Sequence, residues 1–82
     1  MSYEKVKQAK ETIIGTKQAV KAMKKGLVKE VYIALDIEER IIELARTIAQ
    51  ENNVSINYVE SKVDLGKACG LRLAASVVAI TV

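Results

Sequence analysis

The sequence predicts a three-layer α/β/α sandwich built on four strands. Three observations carry that expectation. Short β-branched runs alternate with segments of helical period along the chain, the pattern of crossover connections with helices on both faces of a sheet. The last run, residues 75–82, is almost entirely apolar, as a strand covered on both faces must be. Half of the 82 residues are hydrophobic, yet there are only three tyrosines and no Phe or Trp, so the core is made of Val, Ile, Leu and Ala. A chain of this length holds one domain, 1–82.

Taken in order, residues 3–11 put Tyr3, Val6 and Ala9 on one side of a first helix. Thr12, Ile13 and Ile14 form a short strand that runs into Gly15 and Thr16, with Thr16 as N-cap of a second helix. That helix reaches Lys25 and stops at Gly26. Residues 28–35, rich in Val, Tyr and Ile, read as a buried strand. Asp36 and Glu39 have the spacing of a capping box. The helix they open repeats Ile37, Ile41, Leu44, Ala45 and Ile48 on one face and ends near Asn52 and Asn53. Residues 54–59 alternate as a strand. Ser61 opens a short helix closed by Gly70, and Leu71, Arg72 and Leu73 form a brief loop before the last strand, 75–82.

Composition excludes several chemistries. Histidine is absent and Cys69 is the single cysteine, so an intrachain disulfide, a Cys/His zinc site, a Ser–His–Asp triad and a Cys–His dyad are all ruled out. Gly15, Thr16 and Lys17 resemble only the tail of a phosphate loop: the upstream glycine is missing and Lys and Thr are in the wrong order. Asp36, Glu38 and Glu39 read as acids that complement a helix dipole, not as a metal or acid–base cluster. Cys69 reads as a small buried residue. The expectation is a protein that is not an enzyme, with no metal and no cofactor. No apolar run follows the basic residues at the start, and the apolar-rich stretch 74–82 is far short of a membrane span. The cytoplasm is the expected location.

Charge is segregated. Residues 1–29 carry eight lysines against Glu4 and Glu11, a net +6, whereas residues 30–82 carry a net −3. On a helical wheel Lys17, Gln18, Lys21, Lys24 and Lys25 share an arc of roughly 120°, opposite Ala19, Val20 and Met23. The N-terminus of this helix follows a glycine turn and offers free backbone N–H groups at the positive end of the dipole. An amide in its first turn, Gln18, can both donate and accept at a base edge. Lysines one and two turns on can follow a phosphate backbone.

The segments IIGTKQAVKAMKKG, VYIALD and YVESKVDLGKACGLRLAASVVAI, at 13–26, 31–36 and 58–80, resemble the kink-turn RNA-binding family of ribosomal proteins L7Ae and L30e. The pattern is most like its small bacterial members of the YbxF type and covers essentially the whole chain. The resemblance implies an α/β/α sandwich around a four-stranded mixed sheet. It also implies a function: recognising and stabilising a kink-turn, a sharply bent duplex with a short bulge beside tandem sheared G·A pairs. By that resemblance Gly15, Thr16, Lys17, Gln18, Lys21 and Lys25 enter the widened major groove. Gly70, Leu71, Arg72 and Leu73 then form the loop that packs on the bulged nucleotides. Where the family commonly has Asn and Glu reading the guanines, this chain has Lys17 and Gln18. An amide oxygen keeps the acceptor geometry of a carboxylate but loses its charge-assisted strength. Lys17 adds phosphate attraction, and Arg72 adds a cation to an otherwise apolar loop.

The partner implied is therefore a structured RNA, whether ribosomal, riboswitch or RNase P-type, bound by a monomeric protein in a ribonucleoprotein, with no membrane and no small-molecule substrate. The acidic remainder of the chain supports the alternative, a scaffolding subunit of the same fold that binds a basic protein.

Overall fold

The computed structural model describes residues 11–81. Their order is β1 (Thr12–Ile14), α1 (Thr16–Lys24), β2 (Val28–Ala34), α2 (Glu39–Glu51), β3 (Ser55–Val59), α3 (Lys62–Ala68) and β4 (Val77–Thr81). The helix expected over 3–11 lies outside the described residues, save for Glu11, which is not helical.

The four strands form one mixed sheet in the order β1-β4-β2-β3. Strand β4 runs antiparallel to both neighbours, pairing Ile13 and Val31 with Ala79, while β2 and β3 are parallel, with Ile33 opposite Tyr58. Strands β1, β2 and β3 therefore all point the same way. A register shift between Val28 and Glu30 marks the start of the β2–β4 ladder.

The two-residue period of each strand feeds two cores. Ile13, Val31, Ile33, Ile56, Val77 and Ala79 face one side and pack with Ala19, Ala22 and Met23 of α1 and Ile42, Ala45, Ile48 and Ala49 of α2. Ile14, Tyr32, Ala34, Val59, Val78 and Ile80 face the other and pack with Leu65 and Ala68 of α3. The result is the expected three-layer sandwich. Strand β4 is buried on both faces, which is why its sequence carries almost no polar residue. Burial and, to a smaller degree, the Glu30 carboxylate push the Tyr32 phenol above its ordinary pKa.

Two expected caps are corrected. Thr16 is the first helical residue of α1, and Gly15 holds the N-cap position with no side chain to cap it. The second helix of the capping-box reading starts later than expected, at Glu39 with Glu38 before it. Asp36 does not cap it, because its carboxylate accepts the backbone N–H of Lys62 at 3.0 Å. The physical reason is Ile37, which packs against both cores and bends the chain at residues 35–37. That leaves Asp36 facing the start of α3. Ser61 caps α3 as expected, accepting from the N–H of Asp64 at 3.1 Å. Gly26 and Gly70 follow their helices at φ 75° and 79°, and Asn53 ends α2 in the same region at 56°.

Leu65 is fully buried at the centre of the second core. Leu65→Ala is expected to cost about 2–5 kcal/mol, a large share of the roughly 4–12 kcal/mol that a domain of this size holds. Urea unfolding should show a lower midpoint with an unchanged slope.

Candidate nucleic-acid interface

The direction of the strands gathers the chemistry at one end of the sheet. The C-terminal ends of β1, β2 and β3 meet the N-terminal end of β4 there. That end carries the Gly15 turn with the tip of α1, the bend at 35–38, the start of α3, and the loop 70–76. Gly15 is tied to the exit of this loop: its N–H donates to the Val77 carbonyl at 2.9 Å. Ile14 before the turn and Leu71 in the loop pack on the same core. The two segments singled out from the sequence are therefore neighbours.

The tip of α1 is open. Gly15 has φ 110° and ψ 146°, a region that a side chain disfavours, and it turns the chain from strand to helix in a single residue. The first intrahelical bond runs from Ala19 N–H to the Gly15 carbonyl, 2.9 Å. Ahead of it, no side chain caps the helix and no acid occupies its first turn. The amide of Gln18 lies over Gly15, with Oε1 2.7 Å from where a Cβ on that glycine would sit. Lys17, Gln18, Lys21, Lys24 and Lys25 are all exposed, while Ala19, Ala22 and Met23 are buried beneath them. From Lys17 to Lys25 this cationic stripe is about 12 Å long at 1.5 Å per residue. Ion pairing among the described residues leaves these lysines clear: Arg40 meets Glu38, and Arg46 meets Glu43, both on or beside α2.

The loop beside the tip is built differently. Leu71 is half-buried, Arg72 is exposed and Leu73 is 78% exposed, the most open of the large apolar side chains described. The loop backbone is pinned to α3 at both ends, by Leu71 N–H to the Gly66 carbonyl and Ala75 N–H to the Lys62 carbonyl, each 2.9 Å. Gly66 allows the contact. A Cβ there would lie far inside the van der Waals contact distance to the Leu73 carbonyl oxygen and 3.1 Å from its carbon. Sequence reasoning assigned no role to Gly66 and gave the Asp36 carboxylate to the helix that follows it, whereas it serves α3. The signal for Gly66 was a glycine inside a helix where alanine would be the better helix former.

The other candidates separate. Asp36, Glu38 and Glu39 do not converge. Asp36 serves α3, Glu38 pairs with Arg40, and Glu39 lines a 340 Å³ hollow with Leu35, Ile42, Arg46 and Tyr58. Among the described residues no three His, Cys, Asp or Glu side chains are grouped to hold a metal. Cys69 is half-buried against the second core, and burial pushes its thiol up, away from the reactive thiolate. No helix among the described residues is long and apolar enough to cross a membrane.

Residues 2–82 match the ribosomal protein L7Ae/L30e/S12e/Gadd45 family. An RNA-binding protein of Bacillus pumilus is 49% identical over 80 residues, 98% of each chain. The RNA-binding protein YbxF of Geobacillus stearothermophilus is 48% identical over the same extent. Among solved structures, the 15.5kD RNA binding protein of Giardia lamblia superposes with a TM-score of 0.82 at 26% identity, covering 98% of this chain and 70% of its own.

Gly15→Ala tests the turn. A side chain at its φ and ψ is expected to cost about 1–3 kcal/mol and to push Gln18 off its seat. Thermal unfolding reads the first effect, and an unchanged midpoint contradicts it.

Proposed function

Because the chain belongs to the ribosomal protein L7Ae/L30e/S12e/Gadd45 family, we propose that it binds structured RNA without catalysing a reaction, and that its ligand is a kink-turn. Its relatives from Bacillus and Geobacillus and the Giardia structure all carry RNA binding in their names, which supports the coarser half of the reading. The observation that carries the finer half is the juxtaposition at one end of the sheet. An uncapped cationic helix tip and an apolar loop flank the backbone bond from Gly15 to Val77.

Each part has a chemistry that a bent, bulged duplex satisfies. The free N–H groups of the α1 tip suit phosphate or base acceptors. Gln18 offers a donor and an acceptor to the edge of a sheared G·A pair. Lys17, Lys21 and Lys25 suit successive phosphates along one strand. Leu71 and Leu73 suit bases turned out of the stack, and Arg72 suits a phosphate beside them. An A-form duplex that is not bent has a major groove too deep and narrow to admit the helix tip. Binding thus favours the bent form and shifts a conformational equilibrium that the RNA already has.

Two measurements test this. Kink-turn RNA is expected to bind at least tenfold more tightly than the same RNA with its sheared pairs replaced by Watson–Crick pairs, and equal affinity defeats the proposal. At the level of residues, Gln18→Ala is expected to lose about 1–3 kcal/mol of that discrimination. Lys25→Ala should leave discrimination in place and reduce the slope of log affinity against log salt by about one unit. Discrimination that survives Gln18→Ala removes the base-reading role from this side chain.

A further inference from the structure

We infer that Gly66 is a positioning residue for the apolar loop, setting the height at which Leu73 meets an unstacked base; this rests on the kink-turn reading above. Gly66 lies in the interior of α3 and is itself buried, so it offers nothing to RNA directly. What distinguishes it is what lies over it. The backbone of the loop crosses the helix at this position, with the Leu73 carbonyl directed at the glycine and Ala74 Cα 3.2 Å from where a Cβ would stand. The neighbouring atoms are backbone, not the end of a flexible side chain, so they cannot swing aside.

The consequence falls on Leu73. With its carbonyl turned toward α3, its side chain stands out into solvent, 78% exposed. Three hydrogen bonds hold that pose: Gly70 N–H to the Lys67 carbonyl, Leu71 N–H to Gly66 and Ala75 N–H to Lys62. All three acceptors are on α3. Helix and loop therefore form one clip, and the closeness of the clip is fixed by the absence of a side chain at residue 66. A methyl group there lifts the loop backbone away from the helix and moves Leu73 with it. Alanine is otherwise the better residue for a helix interior, so local propensity opposes the glycine and only the contact explains its place.

The experiment compares wild type and Gly66→Ala on two probes: a kink-turn RNA, and the same RNA with abasic sites at the bulged nucleotides. Gly66→Ala is expected to weaken binding to the intact kink-turn at least tenfold and to change binding to the abasic RNA less than twofold. Adding Leu73→Ala to Gly66→Ala should cause little further loss, because both act on one contact. Equal losses on both RNAs, or full additivity with Leu73→Ala, overturn the inference and leave Gly66 a matter of stability only. If Gly66→Ala does not fold, one glycine inserted after Ala74 in that background gives the loop slack to clear the methyl. That variant should fold and still lack the preference for intact bulged bases, and recovery of the wild-type preference refutes the role. Failure of the kink-turn reading is a separate outcome: wild type itself would then show no preference for the intact RNA.

Discussion

Strand β4 is the constraint on which the rest depends. It lies between β1 and β2, antiparallel to both, with Val77, Val78 and Ala79 inaccessible and Ile80 nearly so. Because it enters the sheet last in sequence but second in space, the loop leading into it must finish at the end where β1 finishes. That brings residues 70–76 beside the Gly15 turn, although the two are more than 50 positions apart in sequence. The Gly15 N–H to Val77 carbonyl bond is the local expression of this arrangement. An apolar strand buried on both faces gains from every side chain and tolerates no slip of register, since a shift by one residue exchanges the two cores.

Electrostatics follow from the same layout. Residues 30–82 are net acidic, but two acids at this end of the sheet are already engaged. Asp36 accepts from the first N–H of α3, and Glu38 faces Arg40. The lysines of α1 have no such partners among the described residues, and its first turn carries no acid. The tip of α1 therefore keeps both its dipole and its side-chain charge for an anion.

The elements were legible in the sequence wherever one period dominated. The double burial of β4 and the lysine face of α1 were readable from residue spacing and stand close to where they were expected. The buried face of α2 is turned from the expected one: Ala45 and Ile48 are buried together with Ile42 and Ala49, while Leu44 is exposed and Ile37 precedes the helix. Caps were less legible, because they are decided by competition that spacing does not record. Asp36 and Glu39 have the separation of a capping box, yet Ile37 is drawn to both cores and the carboxylate goes to α3 instead. Thr16 looked like a cap, but the conformation available only to glycine put the boundary one residue earlier. Gly66 was illegible for a different reason. Its meaning lies in a backbone that returns over it seven residues later, and nothing local states where that backbone will pass.

Under the proposed kink-turn reading, the parts of the surface would divide between holding RNA and choosing its shape. Attraction of lysines to phosphates depends on no particular base arrangement, so by itself it separates bent from straight forms only weakly. Gln18 and Leu73 are different, since a base edge or an unstacked base is presented only by the bent form. Moving an equilibrium from 1:99 to 99:1 takes about 5.5 kcal/mol of differential binding. A base-edge contact contributes about 1–3 kcal/mol, and covering an exposed leucine contributes at most about 1.5–3 kcal/mol. The two together approach the requirement only if both are delivered in full. On that reading, the requirement accounts for a loop fixed on a helix and a helix tip fixed by one glycine. A mobile Leu73 or a wandering Gln18 would lose part of its contribution to ordering, and the lysines would supply little compensating preference.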